Sequence, residues 1–152
     1  MEKRWIKNFD ELVITSNRKI ALKIIESGLD AIGTEKVINS SISLVGSFLF
    51  IKGKSFNLTK FKKIKIIGFG KSSCEAALAL EKILGSKISG GAVVGLHKVD
   101  CQYIETFAGT HPRPSETNIE AGKKIYEIIN GSNENDLIIV IVSGGGSALL
   151  NY

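Results

Sequence analysis

The sequence predicts an α/β fold in which helices cover both faces of a mostly parallel β-sheet, preceded by a helical amino-terminal segment. From residue 64 onward, short apolar runs alternate with segments of helical periodicity, an order typical of parallel βαβ connections. The run Asp136–Val142 is apolar at consecutive positions after its first residue, as expected for a strand that is covered on both sides. We therefore predict a Rossmann-like architecture with right-handed crossovers.

Length and charge restrict the class of protein. A chain of 152 residues, 43% hydrophobic and 23% charged, is typical of one folded domain with a single core. The net charge is +5, and the basic residues are densest at residues 60–65. No interleaved aromatic residues and no nucleic-acid motif accompany them. We interpret this lysine-rich segment as a solvated face and predict no nucleic-acid partner. The positive charge would still attract small anionic substrates.

The cysteines and the apolar runs indicate a cytoplasmic protein without a membrane partner. Cys74 and Cys101 lack the C-x-x-C spacing of a zinc site and form no disulfide framework, which fits a reducing compartment. Met1–Trp5 lacks the apolar stretch of a signal peptide, and no run approaches the ~18 apolar residues of a membrane span. No metal ligand is predicted from residue spacing.

The first 58 residues are predicted to hold two helices and a hairpin. Apolar residues at three- and four-residue steps predict one amphipathic helix over Phe9–Ile32, closed by Gly33,. A shorter helix is expected from Thr34, as its N-cap, to about Leu44,. Phe48–Ile51 and Ser55–Leu58 then alternate in the manner of a small hairpin,.

The main α/β repeat follows, and glycines mark its turns. Gly85 is expected to close the first helix of the repeat, and Ser115 to start the second,. The predicted elements are a strand over Ile64–Ile67, a helix over Ser72–Leu84, a strand over Gly91–Leu96, a weaker strand over Tyr103–Ala108, a helix over Glu116–Ile129 and a strand over Asp136–Val142.

Two glycine-rich loops, Gly68–Ser73 and Ser143–Ser147, each follow a predicted strand. In an open α/β sheet, ligands bind at the carboxyl ends of the strands. Glycine turns that enter a helix direct backbone N–H groups and the positive end of the helix dipole toward a bound anion. The loops therefore predict a phosphorylated ligand, with candidate phosphate- or nucleotide-binding residues Gly68, Gly70, Ser72, Ser143, Gly144, Gly145, Gly146 and Ser147.

The first loop departs from both nucleotide fingerprints. Ser73 stands at the third glycine position of G-x-G-x-x-G, and no acidic residue follows the strand ending near Leu96, which disfavours a dinucleotide site. Lys65 stands where a P-loop would begin with glycine,. Lys71, at the helix entry, would add a mobile positive charge to the site. From spacing alone it is equally well explained as a solvated lysine.

The second loop is the more specific of the two. Three consecutive glycines permit the left-handed conformations that bring successive N–H groups into an anion-binding concavity, the alternative being a flexible turn. His111 is a candidate for the substrate rim, as a general base or as a residue that holds its loop by a hydrogen bond. His97 and Lys98 would lie near the same rim, or would be exposed loop residues.

Four segments, in order and with matching spacing, point to one family: Ile66–Lys71, Ile88–Gly91, Gly109–Pro114 and Ile141–Leu150. They resemble the type II glycerate kinases (glycerate 2-kinases), whose carboxy-terminal domain is named after its M-O-F-R-L motif. The resemblance implies ATP-dependent phosphorylation of D-glycerate to 2-phosphoglycerate, with Mg²⁺, in a cleft between two domains. It also implies that Lys71 is the active-site lysine and that Ser143–Ser147 is the phosphate-binding segment.

The resemblance has departures and alternatives. Phe69 stands where the family usually has a small residue, and Ser115 where it often has an acidic one. Family members run to several hundred residues, so residues 1–152 are expected to be the amino-terminal part, inactive until a separately encoded carboxy-terminal portion or a homo-oligomer completes the site. The alternatives are a non-catalytic phosphosugar- or nucleotide-binding module and, least supported, an NAD-dependent oxidoreductase.

Overall fold

The computed structural model describes residues 4–152, which begin with three helices: α1, Phe9–Leu12; α2, Ser16–Ala31; and α3, Thr34–Ser41. The expectation of one continuous helix over Phe9–Ile32 is wrong. The Thr15 side chain accepts a hydrogen bond from the Arg18 N–H at 3.2 Å, and this cap starts a new helix. Gly33 is the N-cap of α3 and has a negative φ of −57°.

A three-stranded antiparallel sheet follows, made of β1 (Ile42–Val45), β2 (Phe48–Ile51) and β3 (Lys54–Asn57) in the order β1-β2-β3. The second helix was expected to reach about Leu44, and this is wrong, because β1 begins directly after Ser41. Leu44 lies opposite Leu49, which is 1% exposed. The predicted hairpin therefore forms two strands of a three-stranded sheet. The third strand is Ile42–Val45, whose side chains alternate between partly buried and exposed, as in a strand with one covered face.

The main sheet has the order β6-β5-β4-β7, and each of its pairs is parallel. This confirms the predicted α/β fold. The last helix, α6, follows the second glycine loop. The elements are β4 (Lys63–Phe69), α4 (Ser73–Leu84), β5 (Gly90–Gly95), β6 (Glu105–Ala108), α5 (Glu116–Asn130), β7 (Asp136–Val142) and α6 (Gly146–Leu149).

Helices lie on both faces of this sheet, and each face has its own hydrophobic cluster. Neighbouring residues of β4 divide between them, because successive side chains of a strand point to opposite faces. Ile66 packs with α4 and the small sheet, whereas Ile67 packs with α5. Val93 and Val94 of β5 divide in the same way. Gly85, with a φ of +53°, is the C-cap of α4, as predicted.

An ion pair holds β4 and β7 together at their amino ends. Lys65 Nζ lies 3.0 Å from Asp136 Oδ2, and their side chains are 12% and 2% exposed. The same ammonium group donates to the Gly131 carbonyl at 3.1 Å and to Ser132 Oγ at 2.8 Å. Because both side chains are almost enclosed and the ammonium group makes two further hydrogen bonds, this pair differs from the solvent-exposed ion pairs that contribute little to stability.

Strand β7 is an outer strand of the described sheet and pairs with β4 alone. Its Val140 and Val142 side chains are 51% and 66% exposed. No helix within residues 4–152 is both long and apolar enough to cross a lipid bilayer.

Candidate phosphate site at the ends of β4 and β7

The strand order brings the two glycine loops together. From β4 the chain adds β5 and β6 on one side and then returns to place β7 on the other. Phe69 and Val142, the last residues of β4 and β7, lie directly opposite each other. In open α/β sheets, the crevice where the strand order reverses is the usual ligand site. The loops after β4 and β7 therefore lie side by side at this reversal.

Backbone and side-chain hydrogen bonds join the two loops. The Ser143 N–H donates to the Phe69 carbonyl at 3.1 Å, and the Lys71 N–H donates to the Gly144 carbonyl at 2.8 Å. Ser143 Oγ accepts from the Ser72 N–H at 3.1 Å and lies 3.2 Å from Ser73 Oγ. The first loop is thus held to the beginning of the second by four direct hydrogen bonds.

These bonds use the backbone donors of the first loop. The N–H of Gly70 donates to the Val94 carbonyl at 3.2 Å, and that of Ser73 donates to the Gly70 carbonyl at 3.0 Å. Gly68 lies inside β4, where an added Cβ would meet Ile141 Cβ at 2.9 Å. Gly68 therefore permits close packing, and the N–H groups from Gly70 to Ser73 are committed to the fold. What the first loop can offer a ligand is therefore its side chains, chiefly that of Lys71, with the hydroxyl of Ser72 beside it.

The second loop is different, because its N–H groups remain available. No hydrogen bond within residues 4–152 uses the N–H of Gly144, Gly145, Gly146 or Ser147. Gly145 has a φ of +81°, and a left-handed residue among successive unbonded N–H groups is the geometry of an anion-binding nest. The four consecutive donors can surround phosphate oxygens without a charged side chain.

Phe69 explains why the loop needs glycine at its buried end. An added Cβ at Gly146 would meet the Phe69 ring at 2.8 Å, so the ring packs directly beneath the loop. The large side chain of Phe69 in the first loop therefore fits because Gly146 in the second loop has no side chain.

Lys71 and His111 meet at Gly145. A Cβ added there would lie 3.0 Å from Lys71 Cε and 3.1 Å from His111 Nε2. Both side chains belong to exposed residues, and none of the ion pairs among the described residues involves Lys71. A cationic side chain and an imidazole thus border the four available N–H groups, which gives the site a positive character suited to phosphate.

The loop that carries His111 is fixed by a residue that the sequence analysis missed. Thr110 Oγ1 donates to the Arg113 carbonyl at 2.6 Å and closes the loop. Asn118, 0% exposed, accepts from the Thr110 N–H at 2.9 Å and from the Ser115 N–H at 3.0 Å. Ser115 is the N-cap of α5, as predicted. A signal was available, since Asn118 shares a helix face with the core positions Ala121, Gly122 and Ile125.

The remaining predicted rim residues take no part in this arrangement. His97 and Lys98 are exposed after β5, and no hydrogen bond or ion pair of the described residues joins them to either loop. Within the same residues, no group of three or more His, Cys, Asp or Glu side chains is placed to hold a metal ion.

Comparisons with known proteins agree with this geometry. Residues 20–152 match the family described as Domain of unknown function (DUF4147). A protein from Pyrococcus horikoshii named glycerate 2-kinase is 28% identical over 132 residues, which cover 87% of this chain and 30% of that protein. A protein from Thermotoga maritima named D-glycerate 2-kinase is 26% identical, over 88% of this chain and 30% of its own length.

The fold is also found in a solved structure. A crystal structure of a protein from Pyrococcus horikoshii OT3 superposes with a TM-score of 0.76 at 28% identity, over 90% of this chain and 31% of that one. This chain thus spans about a third of the length of the relatives it matches. Because the family match covers most of the chain, from residue 20 to residue 152, the chain belongs to the DUF4147 family.

Proposed function

We propose that residues 1–152 form the amino-terminal, phosphate-handling domain of an ATP-dependent glycerate 2-kinase, which phosphorylates D-glycerate to 2-phosphoglycerate. The observation that carries the proposal is the row of four available N–H groups from Gly144 to Ser147, bordered by Lys71 and His111. The relatives named glycerate 2-kinases support the choice of acceptor.

Each group has a physical role in phosphoryl transfer, in which positioning and charge neutralisation supply most of the catalysis. The loop N–H groups bind phosphate oxygens of ATP, which supplies the phosphoryl group. The Lys71 ammonium group neutralises charge that builds up on these oxygens as the acceptor hydroxyl attacks and the bond to the ADP oxygen breaks. His111 borders the same loop on the substrate side and donates or accepts a hydrogen bond there.

The described residues do not by themselves fit a dedicated Mg²⁺ site. Mg²⁺ prefers carboxylate and phosphate oxygens in octahedral geometry, and residues 4–152 contain no group of three potential ligand side chains. The proposed roles of Lys71 and the loop therefore rest on these residues alone. Metal ligands would have to come from the bound phosphates and from the rest of the enzyme.

The rest of the enzyme is also part of the proposal. The relatives are about three times as long as the matched segment, which covers 30% of their length. We propose that the part of the enzyme corresponding to the remaining length of these relatives completes the cleft. The free thiols of Cys74 and Cys101 support a reducing compartment, and we assign the reaction to the cytoplasm.

Titration calorimetry of the 152-residue chain with ATP tests the phosphate site directly. We expect Lys71→Ala to weaken ATP binding by about ten- to a hundredfold, because a charge-assisted hydrogen bond to phosphate contributes about 1.5–3 kcal/mol. Lys123→Ala is the matched control, since Lys123 is an exposed residue of α5 and its loss changes the net charge equally. Equal affinities of the two variants would contradict the role of Lys71.

A coupled kinase assay with D-glycerate and ATP tests the reaction, on the chain alone and together with the carboxy-terminal portion of a relative. Activity that appears on mixing, and is lost with Lys71→Ala, is the expected result. Tighter binding of a sugar phosphate than of ATP, with no turnover in either preparation, would favour a non-catalytic binding module instead.

A further inference from the structure

The side chain of Asn118 makes hydrogen bonds in two directions, and its acceptor half holds the loop that carries His111. Oδ1 accepts from the Thr110 N–H at 2.9 Å, immediately before His111. It also accepts from the N–H and the hydroxyl of Ser115, at 3.0 Å and 2.9 Å, where the loop ends. Asn118 Oδ1 thus fixes both ends of the segment from Thr110 to Ser115.

The donor half holds the segment that follows the phosphate loop. Asn118 Nδ2 donates to the Leu149 carbonyl at 3.1 Å and lies 3.3 Å from the Ala148 carbonyl. The N–H groups of both residues in turn donate to the Gly145 carbonyl at 3.3 Å. The Asn118 amide nitrogen is therefore one turn of backbone away from Gly145, which Lys71 and His111 both approach.

The orientation of the Asn118 amide is dictated by its partners. Oδ1 faces two backbone N–H groups and Nδ2 faces backbone carbonyls, so a flipped amide would oppose donor to donor and acceptor to acceptor. Asn118 is 0% exposed, and a Cβ at Gly109 would lie 3.0 Å from its Nδ2. Gly109 thus leaves the room that this side chain occupies, and water cannot replace the bonds it makes.

We propose that Asn118 is a positioning residue that couples the His111 loop to the Gly144–Ser147 loop and thereby holds the imidazole against Gly145. Its effect on ligand binding rests on the proposed function, whereas its effect on the position of His111 does not. A buried side chain that joins two otherwise separate loops is the kind of contiguous contact through which coupling between sites is carried.

The test uses Asn118→Asp and Asn118→Ser in the full chain, with Ser115→Ala as the matched control in the same cluster. N118D keeps the acceptor oxygen for the Thr110 N–H but turns a carboxylate oxygen toward the three carbonyls that the Asn118 amide nitrogen faces, those of Thr110, Ala148 and Leu149. N118S is uncharged and too short to reach Leu149, so it serves if N118D does not fold. The readouts are the nuclear Overhauser effect between the His111 ring and the Gly145 α-protons, and calorimetric titration with inorganic pyrophosphate.

We expect both Asn118 variants to lose the His111–Gly145 effect and to bind pyrophosphate at least about fivefold more weakly, a typical coupling between sites. Ser115→Ala should retain the effect and the affinity. For N118D the affinity should recover as the pH falls and the new carboxyl becomes protonated, since it can then donate again. A merely structural role would leave the His111–Gly145 effect in place in the folded variants.

Two results separate the hypotheses. If the His111–Gly145 effect persists in both Asn118 variants, or is lost equally in Ser115→Ala, the positioning role is overturned. If the effect is lost as expected but the wild-type chain shows no affinity for pyrophosphate, the proposed function fails while the positioning role stands.

Discussion

Ser143 Oγ accepts a hydrogen bond from the N–H of Ser72 at 3.1 Å, across 71 positions of sequence. This bond exists because β4 and β7 are neighbours in the sheet and end at the same level. It gives Ser143 a structural function, since its hydroxyl replaces the solvent that would otherwise satisfy a donor at the start of α4. The phosphate-binding candidates of the second loop are therefore the residues after Ser143.

Ser143→Ala should lower the free energy of unfolding by about 1–3 kcal/mol, because it leaves the partly buried N–H of Ser72 without an acceptor. Ser147→Ala is the matched control, since Ser147 is exposed and its hydroxyl makes no hydrogen bond within residues 4–152. Urea denaturation of the two variants measures the difference. Similar midpoints would show that the bond contributes nothing measurable.

Gly145→Ala should abolish phosphate binding and destabilise the chain by at least about 1–2 kcal/mol, the cost of a left-handed residue with a Cβ. At a φ of +81° the added methyl would also press on Lys71 and His111. Gly144→Ala is the control, because nothing lies within 4 Å of a Cβ at that position. Calorimetry with ATP should therefore find binding in the Gly144 variant alone.

The ion pair between Lys65 and Asp136 should make stability depend on pH in the acid range. The hydrogen bond from Lys65 lowers the pKa of Asp136 below its ordinary value of 3.8. A carboxylate with a lowered pKa stabilises the fold above its ordinary value, and that contribution is lost as the pH falls through the lowered value.

Asp136→Asn should therefore unfold at a lower temperature than the wild-type chain at pH 7, and the difference should shrink as the pH falls below the ordinary carboxyl value of 3.8,. Asp10→Asn is the control, since the Asp10 side chain is 88% exposed in its pair with Arg4. Melting temperatures measured from pH 2 to pH 7 test the prediction. A constant difference between the Asp136 variant and the wild-type chain would contradict it.

The thiol of Cys101 should be slow to alkylate. Burial, with the nearby charges of Glu81 and Asp100, raises the pKa of Cys101 from 9.0 to about 11. At pH 8 this lowers the thiolate fraction about 100-fold relative to the unfolded chain, and the thiolate is the reactive form. Rates with iodoacetamide in a Cys74→Ser background, folded and in urea, measure the ratio. Equal rates would show that the thiol is not shielded.

The same thiol predicts a loss of stability in alkali. Because the folded-state pKa is raised, the contribution of Cys101 is fully present below pH 9.0 and is lost as the pH rises through about 11,. Burial raises the pKa of Cys74 to about 11 as well. A Cys74→Ser, Cys101→Ser double variant should show a flatter loss of stability over this range, and identical alkaline profiles would contradict this.

The parallel sheet could be predicted from the sequence because its signals are local. The apolar run Asp136–Val142 and the spacing of Ala121, Gly122 and Ile125 each depend on a few neighbouring residues. Strand β1 was missed because four alternating residues directly after a helix resemble its last turn, and only pairing with β2 decides between the two. Short strands depend on their partners more than on their own propensity.

The site itself could be predicted only in part. The glycines and Lys71 are visible in the sequence. Because both loops follow strands of one parallel sheet, they are predicted to lie at the same edge of it. Which N–H groups remain available depends on bonds between residues some 70 positions apart, such as that from Ser72 to Ser143. Asn118 was missed for the same reason, since the partners of its amide lie in two different loops.

The position of β7 at the outer edge of the described sheet has a consequence for how this site is entered. A strand that paired with β7 in parallel would end level with Ser143, and the residues after it would reach the phosphate loop from the side away from β6. The choice of ligand made by residues on that side would depend on the register between that strand and β7, which changes in steps of one residue. A shift of one position would displace the residues after that strand by about 3.3 Å, so pairing at this edge and recognition at the loop would change together.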